Sequence, residues 1–422
     1  MEEFLTSCRA VKVDPEQPGP GVHVVLGNEA CDVDSMVCAL TYAYFLSKTG
    51  ESLVLPLMNI RQAELPLRSD NVFLLQQLDL NQDLLLFRDQ LDLKTLHRHG
   101  RLRLTLVDHN VLPSSDSDLE GAVVEVIDHH LLEREPSPSC PVTVETVGSC
   151  ATLVTERIIQ KAPEVLNQQV AHLLYAAVVL DCVNMAPSAG KVTRKDSELV
   201  AALETRFVLP HRDDLFNSLH QAKFNVSGLS TEQMLLKDMK AVSGSLNVAI
   251  SVLYLPVQDF LKGAELEAEL SDFCLKFGYD FLLLMSISHD EKKEPIRELA
   301  VFSHSAACRH QVSVYLEQAQ SPALSLRPIS SPHPHITAYH QGNTVASRKK
   351  LLPLVKDFLK EQDAGCLGDG RLGDAADEEA ESRFPPTPMN SLVDGCPLDA
   401  GPPPRLSARD LEEKISQMTS DP

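Results

Sequence analysis

The stretch VVEVIDHH at Val123–His130 decides the fold, because a β-branched apolar run ends directly in an acid and two imidazoles. Such a run is typical of a buried strand. Two earlier apolar runs end in a similar way: Val22–Leu26 leads into GNEACDVD at Gly27–Asp34, and Leu104–Val107 leads into Asp108. Oxygen and imidazole donors at the ends of several strands can converge at one edge of a sheet. The pattern therefore predicts a site for divalent metals, and for two of them.

Helical patterns lie between and after these strands. Apolar residues recur at helical spacing in three segments: Asp34–Ser47, Ala151–Gln160 and Val165–Val179. Strand and helix in alternation indicate an α/β fold with a mostly parallel sheet covered on both faces. We assign residues 1–190 to this first domain, whose active edge is expected beyond the carboxyl ends of the strands.

The remainder of the chain divides into three parts. Residues 191–228 are polar and irregular, which predicts a linker region. Residues 229–360 form a second, smaller α/β domain with strand candidates at Val248–Tyr254, Asp280–Ser286 and Leu299–Phe302. Residues 361–422 are rich in Asp, Glu, Gly and Pro, with 14 acidic and five basic residues, so we expect a disordered tail.

Charge and cysteine usage narrow the functional classes. The 422 residues carry a formal net charge of -21, which disfavours nonspecific nucleic-acid binding. The ten cysteines are scattered without a CxxC pair, which favours reduced thiols and a cytoplasmic location, with the nucleus as a second location. The N-terminus does not resemble a signal peptide, and no apolar run is long enough to span a membrane, so no membrane partner is expected.

Each acidic group also has a simpler interpretation. Asp32 and Asp34 could form a solvated turn with a helix cap at Asp34, and Asp108 could belong to an ordinary turn. Asp181 is harder to explain in this way, because it lies in the apolar helical run Leu173–Asp181 and a buried carboxylate without a partner is costly. Four acidic or imidazole clusters at element ends, taken together, favour the metal site.

These motifs resemble the DHH phosphoesterase superfamily, which includes family II inorganic pyrophosphatases, exopolyphosphatases and the prune proteins. The resemblance runs from about Val22 to Pro353. The first-domain motifs stand in family order, and two second-domain segments resemble its phosphate-binding residues: Asp238-Met239-Lys240 and Ser347-Arg348-Lys349-Lys350. The acidic, Pro-rich tail resembles the prune branch in particular. The resemblance implies an active site in the cleft between the two domains.

The resemblance also implies roles for individual residues. Two divalent cations, Mn²⁺ or Mg²⁺, would activate a water molecule. Their ligands would be Asn28, Asp32, Asp34, Asp108, His129 and Asp181, with Asp108 bridging, Asp34, His129 and Asp181 completing one metal site, and Asp32 and Asn28 forming the other. The catalytic residues would be His130, which donates to the phosphate, and Asp128, which orients a ring. The substrate's phosphates would be bound by Lys240, Arg348 and Lys349.

The implied function is hydrolysis of phosphoanhydride bonds in short-chain polyphosphates. The alternatives are a cyclic-nucleotide phosphodiesterase and a regulatory adaptor that binds signalling proteins through its tail. Pyrophosphatases have His where this chain has Asn28, and the weaker amide ligand puts efficient pyrophosphate turnover in doubt. Arg68 is expected to be a surface arginine, with substrate contact as the alternative reading.

Overall fold

The computed structural model describes residues 1–11, 13–17, 19–50, 53–135, 140–289 and 294–366, without the side chains of 363–366. The described chain forms two compact units. The first contains Met1–Met239 and the second begins at Lys240. Each unit has its own sheet and its own hydrophobic core.

The first unit alternates strands and helices. In chain order its elements are α1 (Glu2–Ala10), β1 (Val22–Leu26), α2 (Val33–Lys48), β2 (Val54–Met58), α3 (Ser69–Gln77), β3 (Leu86–Phe87), α4 (Leu93–Arg98), β4 (Leu102–Val107), β5 (Val123–Asp128), β6 (Val142–Val144), α5 (Cys150–Lys161), α6 (Gln168–Asp181), α7 (Arg194–Arg206), α8 (Arg212–Phe224) and α9 (Thr231–Lys237). The predicted strands and helices of this region are all present, with shifts of a few residues at their ends.

The first sheet is parallel and buried on both faces. Its strand order is β3-β2-β1-β4-β5-β6, and each neighbouring pair is parallel. Along β1, Val25 faces one core cluster, whereas Val24 and Leu26 face the other. Side chains alternate across a strand, so an uninterrupted apolar run such as VHVVL fits a strand covered by helices on both sides.

The predicted linker region is instead helical. Within residues 191–228, α7 begins at a capping box formed by Thr193 and Asp196, and it buries Val200 and Leu203. Helix α8 buries Leu215 and Leu219 and packs on α3 and α6. The prediction of an irregular linker was wrong because these helices expose most of their surface, so their narrow apolar stripe gives a weak sequence signal.

The second unit contains a mixed sheet. Its elements are β7 (Met239–Val242), β8 (Val248–Leu253), α10 (Val257–Phe260), α11 (Leu266–Phe277), β9 (Phe281–His289), β10 (Pro295–Phe302), α12 (Ala306–Gln318), β11 (Leu326–Ile329), β12 (Ile336–Gln341) and α13 (Arg348–Cys366). The strand order is β11-β12-β10-β9-β8-β7; β8 and β9 are parallel, whereas β10 is antiparallel to both β9 and β12. The α/β fold class with a second, mixed-sheet domain is therefore confirmed.

The tail prediction falls mostly on residues 367–422, which lie outside the described residues. Its first residues, 361–366, instead continue α13, which ends at Cys366. Among the described residues, no helix is both long and apolar enough to cross a membrane.

Candidate active site

The strand order of the first sheet determines where its polar strand ends meet. Connections run outward in opposite directions from β1 and β4, so the crevice beyond their carboxyl ends is where such sheets bind ligands. The segment Asn28–Asp34 follows β1 and Asp108 follows β4. The next strand, β5, ends at Asp128 and is followed directly by His129 and His130.

Asp108 lies at the centre of the site. It is buried, with 1% exposure, and has a φ of 62°, in the left-handed region that Asp tolerates better than most residues. Its Oδ1 lies 3.2 Å from His129 Nε2 and 3.9 Å from His130 Nδ1. Among the described residues this Oδ1 has no hydrogen-bond partner in good geometry. The imidazole of His129 is its nearest partner, and a cation at the same place would also stabilise this buried carboxylate.

The two histidines are held in different ways. His129 Nδ1 lies 3.0 Å from the carbonyl oxygen of Val147, which can only accept, so Nδ1 carries the proton and Nε2 faces Asp108. His130 Nδ1 lies 2.7 Å from Asp128 Oδ1, and this bond turns its Nε2 away from Asp128. The rings of His129 and His130 meet edge to face at 4.4 Å. His129 therefore has the ring orientation of a metal ligand, and His130 that of an oriented acid–base or donor group.

Asp128 organises this strand end. Its Oδ1 also accepts from the backbone N–H of His129 at 2.8 Å, and its Oδ2 accepts from Asn110 Nδ2 at 2.6 Å. Burial alone would raise the pKa of Asp128, but the hydrogen bonds from His130, Asn110 and the His129 backbone lower it to about 2. Burial lowers the pKa of His130, and the Asp128 and Asp108 carboxylates outweigh burial and raise it. Both shifts favour the charged forms, an Asp128 carboxylate and a His130 imidazolium.

Three further carboxylates, Asp34, Asp32 and Asp181, interact electrostatically with this cluster. Asp34 Oδ2 accepts from Cys150 N at 2.6 Å and Asp34 Oδ1 from Ala151 N at 2.8 Å, so this side chain rests on the N-terminus of α5. Asp32, not Asp34, caps α2 by accepting from Ser35 N at 3.1 Å.

Negative charge accumulates among these groups. The pKa values of Asp32, Asp108 and Asp181 are all raised. Burial is the largest cause for each, and repulsion from the charge of Asp34 is the second. Burial would lower the pKa of His129, but Asp108 and Asp34 raise it to about 12, so a proton on Nε2 supplies positive charge that a metal could replace. Carboxylate oxygens with a fixed imidazole are a donor set that suits divalent ions such as Mn²⁺ or Mg²⁺.

The tightest group of ligand atoms is formed by Asp108, His129 and His130, which lie within 4.8 Å of one another. His129 Nε2 is 3.8 Å from Asp34 Oδ2, which places Asp34 beside this group. The sequence assigned Asp108 and His129 to the metals and His130 to the substrate. The structure brings all three together.

Asn28 is oriented differently from a metal ligand. Its Oδ1 accepts from the backbone N–H of Cys31 at 3.1 Å, which fixes the amide orientation, and its Nδ2 therefore points at Asp108. Nδ2 donates to Asp108 Oδ2 at 2.8 Å and to the Asp108 carbonyl at 3.1 Å. An amide nitrogen does not bind a hard cation. In this arrangement Asn28 is a donor to the predicted bridging carboxylate, and its assignment as a metal ligand stays a prediction.

The predicted substrate-binding residues all lie in the second unit. Lys240 is exposed on β7, Arg348 is half-buried at the start of α13, and Lys349 follows it and is exposed. Lys240 and Lys349 are therefore accessible to a ligand from solvent. The role of all three residues in binding substrate stays a prediction.

Several supporting residues were missed from the sequence. Arg68, expected on the surface, is 2% exposed and donates to the backbone of the Asn28–Asp34 segment. Three buried asparagines also support the site: Asn71 donates to this segment, Asn59 to Gly27 just before it, and Asn110 to Asp128. A single buried amide or guanidinium has no local pattern, so only the fold reveals these roles.

Comparisons with known proteins agree with this geometry. The DHH family N-terminal domain matches residues 23–178, and the DHHA2 domain matches residues 217–358. The chain is 47% identical to "Exopolyphosphatase PRUNE1" of Mus musculus and 46% identical to that of Homo sapiens, in each case over 99% of this chain and 97% of the relative. The chain belongs to the prune exopolyphosphatase family. It is therefore a phosphohydrolase of the DHH class, as the sequence predicted.

Among solved structures, a family II inorganic pyrophosphatase described as putative, from Methanococcus jannaschii, resembles this chain. The alignment has 20% identity and a TM-score of 0.45, and it covers 80% of this chain and all of that one.

Proposed function

We propose that this chain is a metal-dependent exopolyphosphatase that cleaves terminal phosphoanhydride bonds of short-chain polyphosphates. The observation that carries the proposal is the buried Asp108 Oδ1, which faces His129 Nε2 at 3.2 Å and His130 Nδ1 at 3.9 Å. The family membership supports the reaction class, and the names of its mammalian exopolyphosphatase relatives support the substrate class.

The proposed metal ligands are Asp32, Asp34, Asp108, His129 and Asp181. Two divalent cations, when bound, would supply a nucleophilic water at neutral pH and neutralise phosphate charge. Asp108 interacts electrostatically with Asp34, Asp32 and His129, which suits a residue shared by both ions. Val147 holds His129 in the tautomer that leaves Nε2 available, and the N-terminus of α5 holds Asp34.

The proposed catalytic role of the chain's own groups centres on His130. Asp128 holds its Nδ1, so Nε2 is directed away from this pair and can donate to a phosphate oxygen as charge develops there. Asp128 favours the protonated imidazole and orients it. Lys240, Arg348 and Lys349 remain the proposed contacts for the other phosphates, because cations on a phosphate chain offset its charge.

A substrate panel tests this proposal. The full chain is assayed on pyrophosphate, short polyphosphates, cyclic AMP and guanosine tetraphosphate, each with Mg²⁺ or Mn²⁺ and each with excess chelator. We expect the largest kcat/KM on short polyphosphates and loss of activity with chelator. Faster turnover of cyclic AMP would favour the phosphodiesterase alternative, and metal-independent turnover would contradict the proposed chemistry.

We also propose that residues 361–422 bind regulatory proteins and are dispensable for catalysis, and that the chain acts in the cytoplasm and also in the nucleus. The support is compositional, since the segment is acidic and rich in Pro and Gly. Deletion of 367–422 should leave kcat/KM on a short polyphosphate unchanged and reduce recovery of bound proteins. Loss of catalysis with unchanged partners would contradict this division.

A further inference from the structure

Arg68 is a buried arginine whose donors go to backbone carbonyls. It is 2% exposed and ranks among the largest fully buried side chains. Its Nε donates to Ala30 O at 2.9 Å, its Nη2 to Glu29 O at 3.4 Å, and its Nη1 to Glu64 O at 3.3 Å. The carboxylate of Glu64 is 4.0 Å away. Two of the three backbone bonds therefore end in the short loop between Asn28 and Asp32.

The same loop and Gly27 just before it receive donors from other distant residues. Asn59 Nδ2 donates to Gly27 O at 3.0 Å, and Asn71 Nδ2 donates to Cys31 O at 2.8 Å. Cys31 has a φ of 49°, in the left-handed region that a non-glycine residue adopts at a cost. A conformation of this kind persists only when surrounding bonds fix it, so the loop is held by its neighbours and not by its own preference.

Arg68 is itself firmly anchored. Lys237, 1% exposed, donates from Nζ to Leu67 O at 2.7 Å and to Ser69 Oγ at 2.8 Å. Ser69 Oγ in turn donates to Ala222 O at 2.6 Å. The residues on both sides of Arg68 are thus bound to the ends of α8 and α9, which gives its guanidinium a fixed position against the loop.

We propose that Arg68 is a positioning residue that fixes the loop carrying Asn28, Asp32 and Asp34, and so sets the affinity of the metal site. A guanidinium presents several donors in a rigid fork and can hold two successive carbonyls, which a lysine ammonium cannot do with the same geometry. Its burial and its backbone partners direct the guanidinium at the loop and away from solvent. The inference rests on the proposed function, since it assigns Asp32 and Asp34 to the metals.

The test is Arg68→Lys in the full chain, with Mn²⁺ affinity measured by calorimetry and steady-state kinetics measured on a short polyphosphate. We expect Mn²⁺ affinity to fall by roughly 10–100-fold, the usual result of disturbing the groups that orient metal ligands. At saturating Mn²⁺, KM should change by less than about threefold. A raised KM with unchanged Mn²⁺ affinity would mean that Arg68 binds substrate, and unchanged values of both would also overturn the inference.

Two variants separate this role from a general loss of stability. Arg297→Lys removes a similarly buried guanidinium, 5% exposed, whose Nε donates to Thr344 O at 2.7 Å in the second unit; it should leave Mn²⁺ affinity unchanged. Equal Mn²⁺ losses in Arg68→Lys and Arg297→Lys would overturn the inference.

Asn71→Leu removes the donor to Cys31 O and should weaken Mn²⁺ binding in the same direction as Arg68→Lys. If Arg68→Lys does not fold, Asn71→Leu alone tests the inference. Unchanged Mn²⁺ affinity in Asn71→Leu would then contradict the inference that side chains outside the loop fix its conformation. Failure of the wild-type chain to bind Mn²⁺ or Mg²⁺ at all would instead overturn the proposed function, which is a different result.

Discussion

The loop after β1 and the strand end after β5 supply the two sides of the site, and they are built by different means. After β5, Asp128 organises its own neighbours, because it accepts from His130 Nδ1 and from the His129 backbone. After β1, the carbonyls of Glu29, Ala30 and Cys31 depend on donors from Arg68 and Asn71, some forty residues later in the chain.

This difference determines how the two regions respond to mutation. The β5 end is a local structure, so a change there should alter the chemistry of one or two side chains. The β1 loop is held by side chains outside it, so a change at a distance should alter metal affinity. Asp108 touches both regions, since Asn28 donates to its Oδ2 and His129 faces its Oδ1.

Asp108→Ala should therefore have the largest effect. It removes the carboxylate that both regions share and is expected to reduce kcat/KM on a short polyphosphate by at least about 10³-fold, several kcal/mol of transition-state stabilisation. The matched control is Asp116→Asn, another buried acid, which pairs with Arg88 at 2.9 Å and should retain activity. An Asp108→Ala protein with more than about a tenth of wild-type activity would exclude a bridging role.

His130→Ala and His129→Ala test the β5 end from two sides. His130→Ala should reduce kcat by roughly 10²–10³-fold, the usual cost of losing one transition-state donor, with Mn²⁺ affinity retained. His129→Ala should weaken Mn²⁺ binding itself, because Nε2 is the atom that faces Asp108 and Asp34. Calorimetric titration of the two variants checks this assignment, and equal affinities would show that both histidines, or neither, bind the metal.

The Asp128 pair predicts a pH dependence of stability in the metal-free protein. The pKa of Asp128 is lowered from its ordinary value to about 2. The stabilisation that its ionised carboxylate gives to the folded state is therefore complete above pH 4 and is lost as pH falls through 2. A shift of this size corresponds to about 2 kcal/mol. The free energy of unfolding of wild type and Asp128→Asn, measured with chelator, should differ at pH 5 by more than at pH 2. A pH-independent difference would mean that Asp128 is not selectively stabilised as an anion.

The same contrast explains what could be predicted from sequence. VVEVIDHH carries its strand, its acid and its imidazoles in consecutive residues, so local pattern was sufficient to predict the fold class and to place these side chains at one strand end. Arg68 follows Leu65-Pro66-Leu67 in an ordinary turn sequence, and nothing in its neighbours indicates burial. Its position depends on α3, α8 and α9 packing around it, which is tertiary information.

Asn28 illustrates a second limit of sequence reasoning. Residue type correctly placed it beside the site, but an amide can bind a metal through oxygen or donate through nitrogen. The choice is made by the Cys31 N–H, which needs an acceptor and takes the amide oxygen. Hydrogen-bond partners of this kind follow from the loop conformation and are not encoded in the spacing of the motif.

The smallest expected effect comes from Asn28, and it decides whether the β1 loop contributes a ligand or a donor. Asn28→Leu keeps the approximate shape but removes the charge-assisted hydrogen bond to Asp108, so Mn²⁺ affinity should fall by about tenfold. Asn28→His retains a nitrogen donor and should lose less Mn²⁺ affinity than Asn28→Leu. If its imidazole can also bind the metal, kcat/KM on pyrophosphate with Mn²⁺ should rise. Calorimetry and pyrophosphate kinetics on the two variants make the distinction. Equal losses of affinity in both would show that Asn28 does not act as a donor to Asp108, and the two regions would then differ less than their hydrogen bonds indicate.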